Sequence, residues 1–218
     1  MDNSALRPAV LSGLAAALFL DGALVLPFGL SGLIQLMGLD MTEPPPAVVT
    51  LLMAVMLGCL ALGGALWGWA LSRITGAGQK QRMAVASLAS YGLAALVAAL
   101  TLGSLEPAAA NILPLPLHRV FTVMFVPAVF LVAAANGAGF GLALQDRAVG
   151  ARLAIAAGLA AALAFLVVNL TLDAFGFRVG APFAAQRATM LVTAFTSNAG
   201  AALAGGAVMG WLLKNRSA

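Results

Sequence analysis

Long apolar runs separated by short polar stretches dominate the chain. Six such runs can be delimited, at about 8–38, 46–72, 83–103, 120–144, 153–173 and 188–213. A helix rises about 1.5 Å per residue and the hydrocarbon core of a bilayer is about 30 Å thick, so about 20 residues are enough to cross it. Every run reaches this length, and none alternates as a membrane strand does. The pattern predicts a single all-α domain, residues 1–218, of six transmembrane helices.

The composition supports placement in a bilayer. Hydrophobic residues make up 62% of the 218 residues and charged residues 8%, whereas about 25% of a soluble domain is charged. The first run is too long for a signal-peptide core and has no small-residue cleavage site, so we interpret it as a retained helix. The expected location is the cell membrane, as a multi-pass protein, and the compact loops suggest a bacterial inner membrane.

Basic residues are distributed unequally between the two sets of predicted loops. If the N-terminus is cytoplasmic, eight basic residues fall on that side, namely Arg7, Arg73, Lys80, Arg82, Arg147, Arg152, Lys214 and Arg216. The outer side then has three, namely Arg119, Arg178 and Arg187. Short cytoplasmic loops carry an excess of Lys and Arg, so we expect both termini to be cytoplasmic. The net charge of +4 then requires no nucleic-acid partner.

The first run contains the one carboxylate that is predicted near the bilayer centre, Asp21. An ionisable side chain there costs about 2.5–3.5 kcal/mol and usually faces a partner or water. Six residues later, Pro27 removes a helix hydrogen bond and predicts a kink. Broken helices near the midplane expose carbonyls to ions in many transporters. Asp21 is therefore either a residue that couples transport to a proton or cation, or a structural tie between helices.

Further polar side chains are predicted inside the membrane. Tyr91 and Asn198, like Asp21, lie about 3 Å from the centre of their runs, and Asn136 lies about 6 Å toward the cytoplasm. These four are the candidate coupling or gating residues. On the last run, one helix face carries a stripe that would either line a polar path or pack internally, formed by Thr189, Thr193, Thr196 and Gly200. Near the outer surface, a vestibule is predicted from Asn169, Asp173, His118, Arg119, Arg178 and Arg187.

The outer arginines allow two interpretations. They can pair with Asp173 and Glu106, or they can bind a phosphate or lipid headgroup, because guanidinium makes bidentate contacts with such anions.

The small residues of the predicted helices also allow two interpretations. Gly64 with Gly68, and Gly137 with Gly141 elsewhere, have the four-residue spacing through which membrane helices approach closely. That packing is either internal to one bundle or between copies of the chain.

The chemistry available to the chain is limited by what it lacks. One histidine and one cysteine cannot build a bis-histidine haem, a zinc site or an iron–sulfur site. The sequence has no HExxH, GxSxG or P-loop motif, so we expect no enzyme, no cofactor and no metal site. Two functions remain open. One is a small transporter or channel coupled through Asp21; the other is a non-catalytic subunit of a larger membrane complex. The expected partners are the lipid bilayer, a second copy, or other membrane subunits.

Overall fold

A computed structural model of the chain describes Arg7, Val10, Leu11, Gly13 and Leu14, and then residues 45–75, 77–112, 117–177 and 183–215. Within these ranges it describes side chains except at 77, 99–100, 102–118, 121, 183–191 and 194. Asp21, Pro27 and Arg178 lie outside the described residues. The side chains of His118 and Arg187 do so as well.

Five long helices form the described part of the chain, which is all-α as predicted. They are α1 Pro46–Thr75, α2 Lys80–Ile112, α3 Leu117–Ala143, α4 Arg147–Ala174 and α5 Phe183–Lys214, with a 3₁₀ turn at Ala77–Gln79. Within the described residues, three helical stretches are long and apolar enough to cross a membrane: Pro46–Thr75, Thr122–Ala143 and Arg147–Ala174.

The helices extend further than the apolar runs. Residues 104–119 lie between the apolar runs 83–103 and 120–144, which predicts a connection outside the membrane. This was wrong for residues 104–112, which continue α2. An apolar run marks where a helix leaves hydrocarbon, whereas the helix itself continues as long as its backbone hydrogen bonds do. Three successive alanines, residues 108–110, are strong helix formers, so Pro107 does not mark the end of α2.

Helix α4 begins six residues before its apolar run because of local capping. The side chain of Asp146 accepts a hydrogen bond from the backbone N–H of Val149 at 3.0 Å, which satisfies one of the unpaired donors of the first turn. Just before it, Gln145 has a left-handed φ of 57°. The N–H of Asp146 then donates to the carbonyl of Gly141 at 2.9 Å, as in a Schellman motif. This tight turn makes α3 and α4 antiparallel neighbours.

Each helix packs against the next along the chain, and α1 also contacts α5. The core between them includes Trp67, Met83, Phe140, Leu153 and Met209. In the described part of the chain, the surface is rich in apolar side chains, with Leu142 exposed to 74%, Leu93 to 64% and Trp211 to 64%. Water would penalise such a surface, and lipid would not.

The paired glycines lie inside the bundle. A Cβ atom at Gly68 would clash with the carbonyl of Met83, and one at Gly64 would lie 2.8 Å from the carbonyl oxygen of Ser87. One at Gly137 would lie 2.6 Å from the backbone nitrogen of Ala154. The first pair therefore holds α1 against α2, and Gly137 holds α3 against α4. Of the two interpretations, internal packing is the one that the structure bears out for these glycines.

Charge separates the two ends of the bundle. One end, which we call the basic end, comprises the end of α1, the start of α2, the end of α3, the start of α4 and the end of α5. It carries Arg73, Lys80, Arg82, Arg147, Arg152 and Lys214. Among the described residues, its one acidic side chain is Asp146, which caps α4.

Candidate functional site

A buried polar pair joins α2 to α3. The hydroxyl of Ser87 donates a hydrogen bond to Oδ1 of Asn136 at 2.7 Å, and both side chains are 0% exposed. Helix α1 approaches at the same place, because a Cβ at Gly68 would lie 2.7 Å from Cβ of Ser87. The Asn136 amide therefore lies near the junction of three helices. Its Nδ2 donor has no hydrogen-bond partner within the described part of the chain, and a buried unpaired donor costs about 1–3 kcal/mol.

An aromatic pair lies one helical turn from Ser87. The rings of Trp67 and Tyr91 meet edge to face, with centroids 5.7 Å apart and an interplanar angle of 71°, and each residue is 2% exposed. The indole Nε1 of Trp67 is buried and has no partner among the residues that the structure describes. We call Trp67, Ser87, Tyr91 and Asn136 the Asn136 cluster.

A second group of buried polar side chains lies on α5. Thr193 and Ser197 are one turn apart and are 2% and 1% exposed. Neither hydroxyl has a hydrogen-bond partner in the described ranges. Serine and threonine in apolar helices commonly donate to the carbonyl four residues earlier, and four others here do so: Thr50, Ser90, Thr101 and Thr171. Thr193 and Ser197 depart from that behaviour, so each has a buried hydroxyl donor that no described residue uses.

The register between α4 and α5 shows what lies level with these hydroxyls. A Cβ at Gly205 would lie 3.4 Å from Cβ of Ala161, and one at Gly200 would lie 3.0 Å from Cγ2 of Val168. Residue numbers fall along α5 as they rise along α4, so the two helices are antiparallel. Ser197 and Thr193 are consequently level with the last turns of α4, where Asn169 lies.

Two asparagines lie at the same level of α4 and α5 as these hydroxyls. Asn169 on α4 and Asn198 on α5 are each 7% exposed. Nδ2 of Asn169 donates to the carbonyl of Phe165 at 2.9 Å. We call Asn169, Thr193, Ser197 and Asn198 the Ser197 cluster. It consists of neutral amides and hydroxyls, which can accept and donate hydrogen bonds but carry no net charge.

An ion pair lies beyond the Ser197 cluster, at the end of the bundle opposite the basic end. Nη2 of Arg119 lies 3.2 Å from Oδ2 of Asp173, and the two side chains are 54% and 14% exposed. Nε of the same arginine donates to the same oxygen at 3.2 Å. The prediction that an outer arginine pairs with Asp173 is therefore confirmed for Arg119. The pair ties the start of α3 to the end of α4.

The structure divides the predicted site residues between these places. Tyr91 and Asn136 belong to the Asn136 cluster, whereas Asn198 belongs to the Ser197 cluster. Gly205 packs near the Trp67 ring, so it marks the level of the Asn136 cluster on α5. Asn198 is seven residues before Gly205 and therefore lies about 10 Å further from the basic end. Thr193 of the threonine stripe is buried, but Thr196 of the same stripe is exposed. That stripe does not face the interior along its whole length.

Sequence reasoning missed Ser87, Trp67 and Ser197. Serine is common in membrane helices, and a tryptophan in an apolar run is expected in any core, so neither residue type stands out in such a sequence. One indication was available: Ser87 lies four residues before Tyr91, on the same helical face. The chain matches no protein-family model, and neither a curated protein nor a solved structure is significantly similar to it.

Proposed function

We propose that the protein is a small multi-pass membrane transporter or channel whose path runs past the Ser197 and Asn136 clusters. The observation that carries this proposal is the pair of buried hydroxyls on Thr193 and Ser197, which have no hydrogen-bond partner in the described part of the chain. Back-bonding would satisfy them at little cost. Donors that stay free inside an apolar bundle are suited to a passing water or polar solute.

The proposal includes six membrane spans with both termini in the cytoplasm. It is supported by three helical stretches that could cross a bilayer and by the basic residues gathered at one end of the bundle. Short cytoplasmic loops favour such residues, so the basic end would face the cytoplasm. The Arg119–Asp173 pair would then lie at the outer surface, beside the mouth of the path.

We also propose that Asp21 couples transport to a proton or a monovalent cation. The two clusters supply neutral ligands only, so a charge near the midplane has to come from elsewhere in the chain. Asp21 is the one acidic residue central to an apolar run, and acids in that setting commonly serve proton or ion pathways. This part of the proposal rests on the sequence.

Flux through reconstituted protein tests the proposal. Proteoliposomes with outward and inward gradients would be assayed for protons, sodium, potassium and small neutral solutes such as urea and glycerol. We expect at least one flux well above that of protein-free liposomes. Thr193→Val keeps the shape and removes the free hydroxyl, and we expect it to slow this flux at least about tenfold, or about 1.4 kcal/mol in barrier.

Two further variants sharpen the assay. Thr171→Val is the matched control, because the Thr171 hydroxyl is exposed and already donates to the Val167 carbonyl at 2.8 Å; its flux should be unchanged. Asp21→Asn removes the charge, and we expect transport to lose its dependence on a pH or cation gradient. The absence of any flux, together with stoichiometric co-purification of other chains, would contradict transport and favour the non-catalytic subunit.

A further inference from the structure

We propose that a groove between α2 and α3 at the basic end binds the headgroup of an anionic phospholipid. The groove has a volume of about 470 Å³ and is lined by Gln81, Arg82, Val85, Ala86, Leu142, Ala143 and Gln145. The proposal is independent of transport, because the groove is on the outside of the bundle and shares no residue with either polar cluster.

Polarity changes along the groove as it does along a lipid. Gln81 and Arg82 belong to the first turn of α2, and Gln145 follows the end of α3. One turn deeper, about 5 Å along the helix axes, the walls are Val85 and Leu142, which are 58% and 74% exposed. Polar donors therefore lie level with a headgroup, and apolar side chains lie level with the start of the acyl chains.

The charge of the groove suits an anion. Arg82 is exposed and has no carboxylate partner among the described residues. Asp146 follows the lining residue Gln145, and its side chain accepts from the N–H of Val149 and so caps α4. Guanidinium donates two parallel hydrogen bonds to a phosphate, and the two glutamine amides supply neutral donors beside it.

The floor of the groove limits what can enter. A Cβ at Gly139 would lie 2.6 Å from Oγ of Ser90 and 3.2 Å from the carbonyl oxygen of Ala86. Helices α2 and α3 therefore touch just below the groove, while the small side chains Ala86 and Ala143 leave room above. The volume of about 470 Å³ is large enough for a phospholipid headgroup. The acyl chains of the lipid would leave the groove along the exposed side chains of Val85 and Leu142. A free phosphate ion would not use these apolar side chains, so we infer that the occupant is a phospholipid.

Native mass spectrometry of the full-length protein tests the inference. Detergent-solubilised protein would be titrated with phosphatidylglycerol and, separately, with phosphatidylcholine. We expect tighter binding of phosphatidylglycerol, and a loss of about fivefold in Arg82→Gln, because one basic side chain contributes about 1 kcal/mol to anionic lipid binding. Arg152→Gln is the matched control, since Arg152 is exposed at the same end but does not line the groove, and it should retain the wild-type preference.

A second variant and a competitor distinguish lipid from ion. Leu142→Ser should weaken phosphatidylglycerol binding without changing the fold, because Leu142 is exposed. Inorganic phosphate at millimolar concentration should not displace the lipid. Displacement by phosphate would identify a simple anion site, and an equal loss in Arg82→Gln and Arg152→Gln would identify diffuse surface charge. Either result, or an unchanged affinity in Arg82→Gln, would overturn the proposal.

Discussion

The hydroxyl of Ser87 donates to the amide oxygen of Asn136 across 2.7 Å, and so links α2 to α3 through two fully buried side chains. Only the oxygen of the asparagine amide is hydrogen-bonded, because Nδ2 has no partner among the described residues. A buried amide that is half satisfied adds less stability than its single hydrogen bond suggests. We therefore expect the two members of the pair to respond differently to substitution.

Ser87→Ala should cost more stability than Asn136→Leu. The alanine variant leaves the Asn136 amide buried without its hydrogen bond, at a cost of about 1–3 kcal/mol. The leucine variant removes the unpaired Nδ2 and keeps the number and branching of the side-chain heavy atoms. The Ser87 hydroxyl can then turn to the Met83 carbonyl, so the expected loss is below about 1 kcal/mol. Reversible unfolding in mixed micelles measures both. Equal losses, or a larger loss in Asn136→Leu, would refute this account of the pair.

Gly68→Ala should separate α1 from α2. A methyl group there meets the Met83 carbonyl and Cβ of Ser87, and overpacking of this kind costs about 1–3 kcal/mol. Gly58→Ala is the control on the same helix, because a Cβ at Gly58 meets nothing within 4 Å. It should be neutral or stabilising, since alanine is a better helix former. The same unfolding assay measures both variants. Equal changes in the free energy of unfolding would show that the close packing at Gly68 does not stabilise the contact between α1 and α2.

The Arg119–Asp173 pair should contribute little and should respond to salt. Arg119 is 54% exposed, and exposed ion pairs contribute about 0–1 kcal/mol. Arg119→Gln is therefore expected to lower the free energy of unfolding by less than about 1 kcal/mol at low ionic strength. The difference should vanish near 1 M salt, where the screening length is about 3 Å. A loss that persists at high salt would mean that Arg119 makes a stronger contact than this exposed pair.

The sequence predicted the helices better than it predicted their ends or the polar clusters. Apolar runs locate α1, α3 and α4, the helices that contain stretches long and apolar enough to cross a membrane, but the ends of the helices depend on local features. Asp146 begins α4 by capping it, and residues 104–112 stay helical outside the apolar run.

The polar clusters depend on tertiary register, which periodicity does not encode. Ser87 meets Asn136 only because close-packed glycines fix how α1, α2 and α3 approach one another. The Arg119–Asp173 pair was predictable because the two residues fall at the same predicted surface with opposite charge, and this requires only the order of the helices.

Transport along the proposed path requires that water reaches the buried hydroxyls on α5. The most direct test is the reactivity of Ser197→Cys with a membrane-impermeant thiosulfonate, in protein where Cys59 is replaced by alanine. Leu60→Cys, 5% exposed in the apolar core on α1, is the dry control, and Leu163→Cys, 59% exposed on α4, is the control for the bundle surface. We predict rapid modification at 197 and little at 60 or 163, because thiols react as hydrated thiolates. A cysteine at 197 that is as inert as the one at 60 would contradict the path, and with it the transport function.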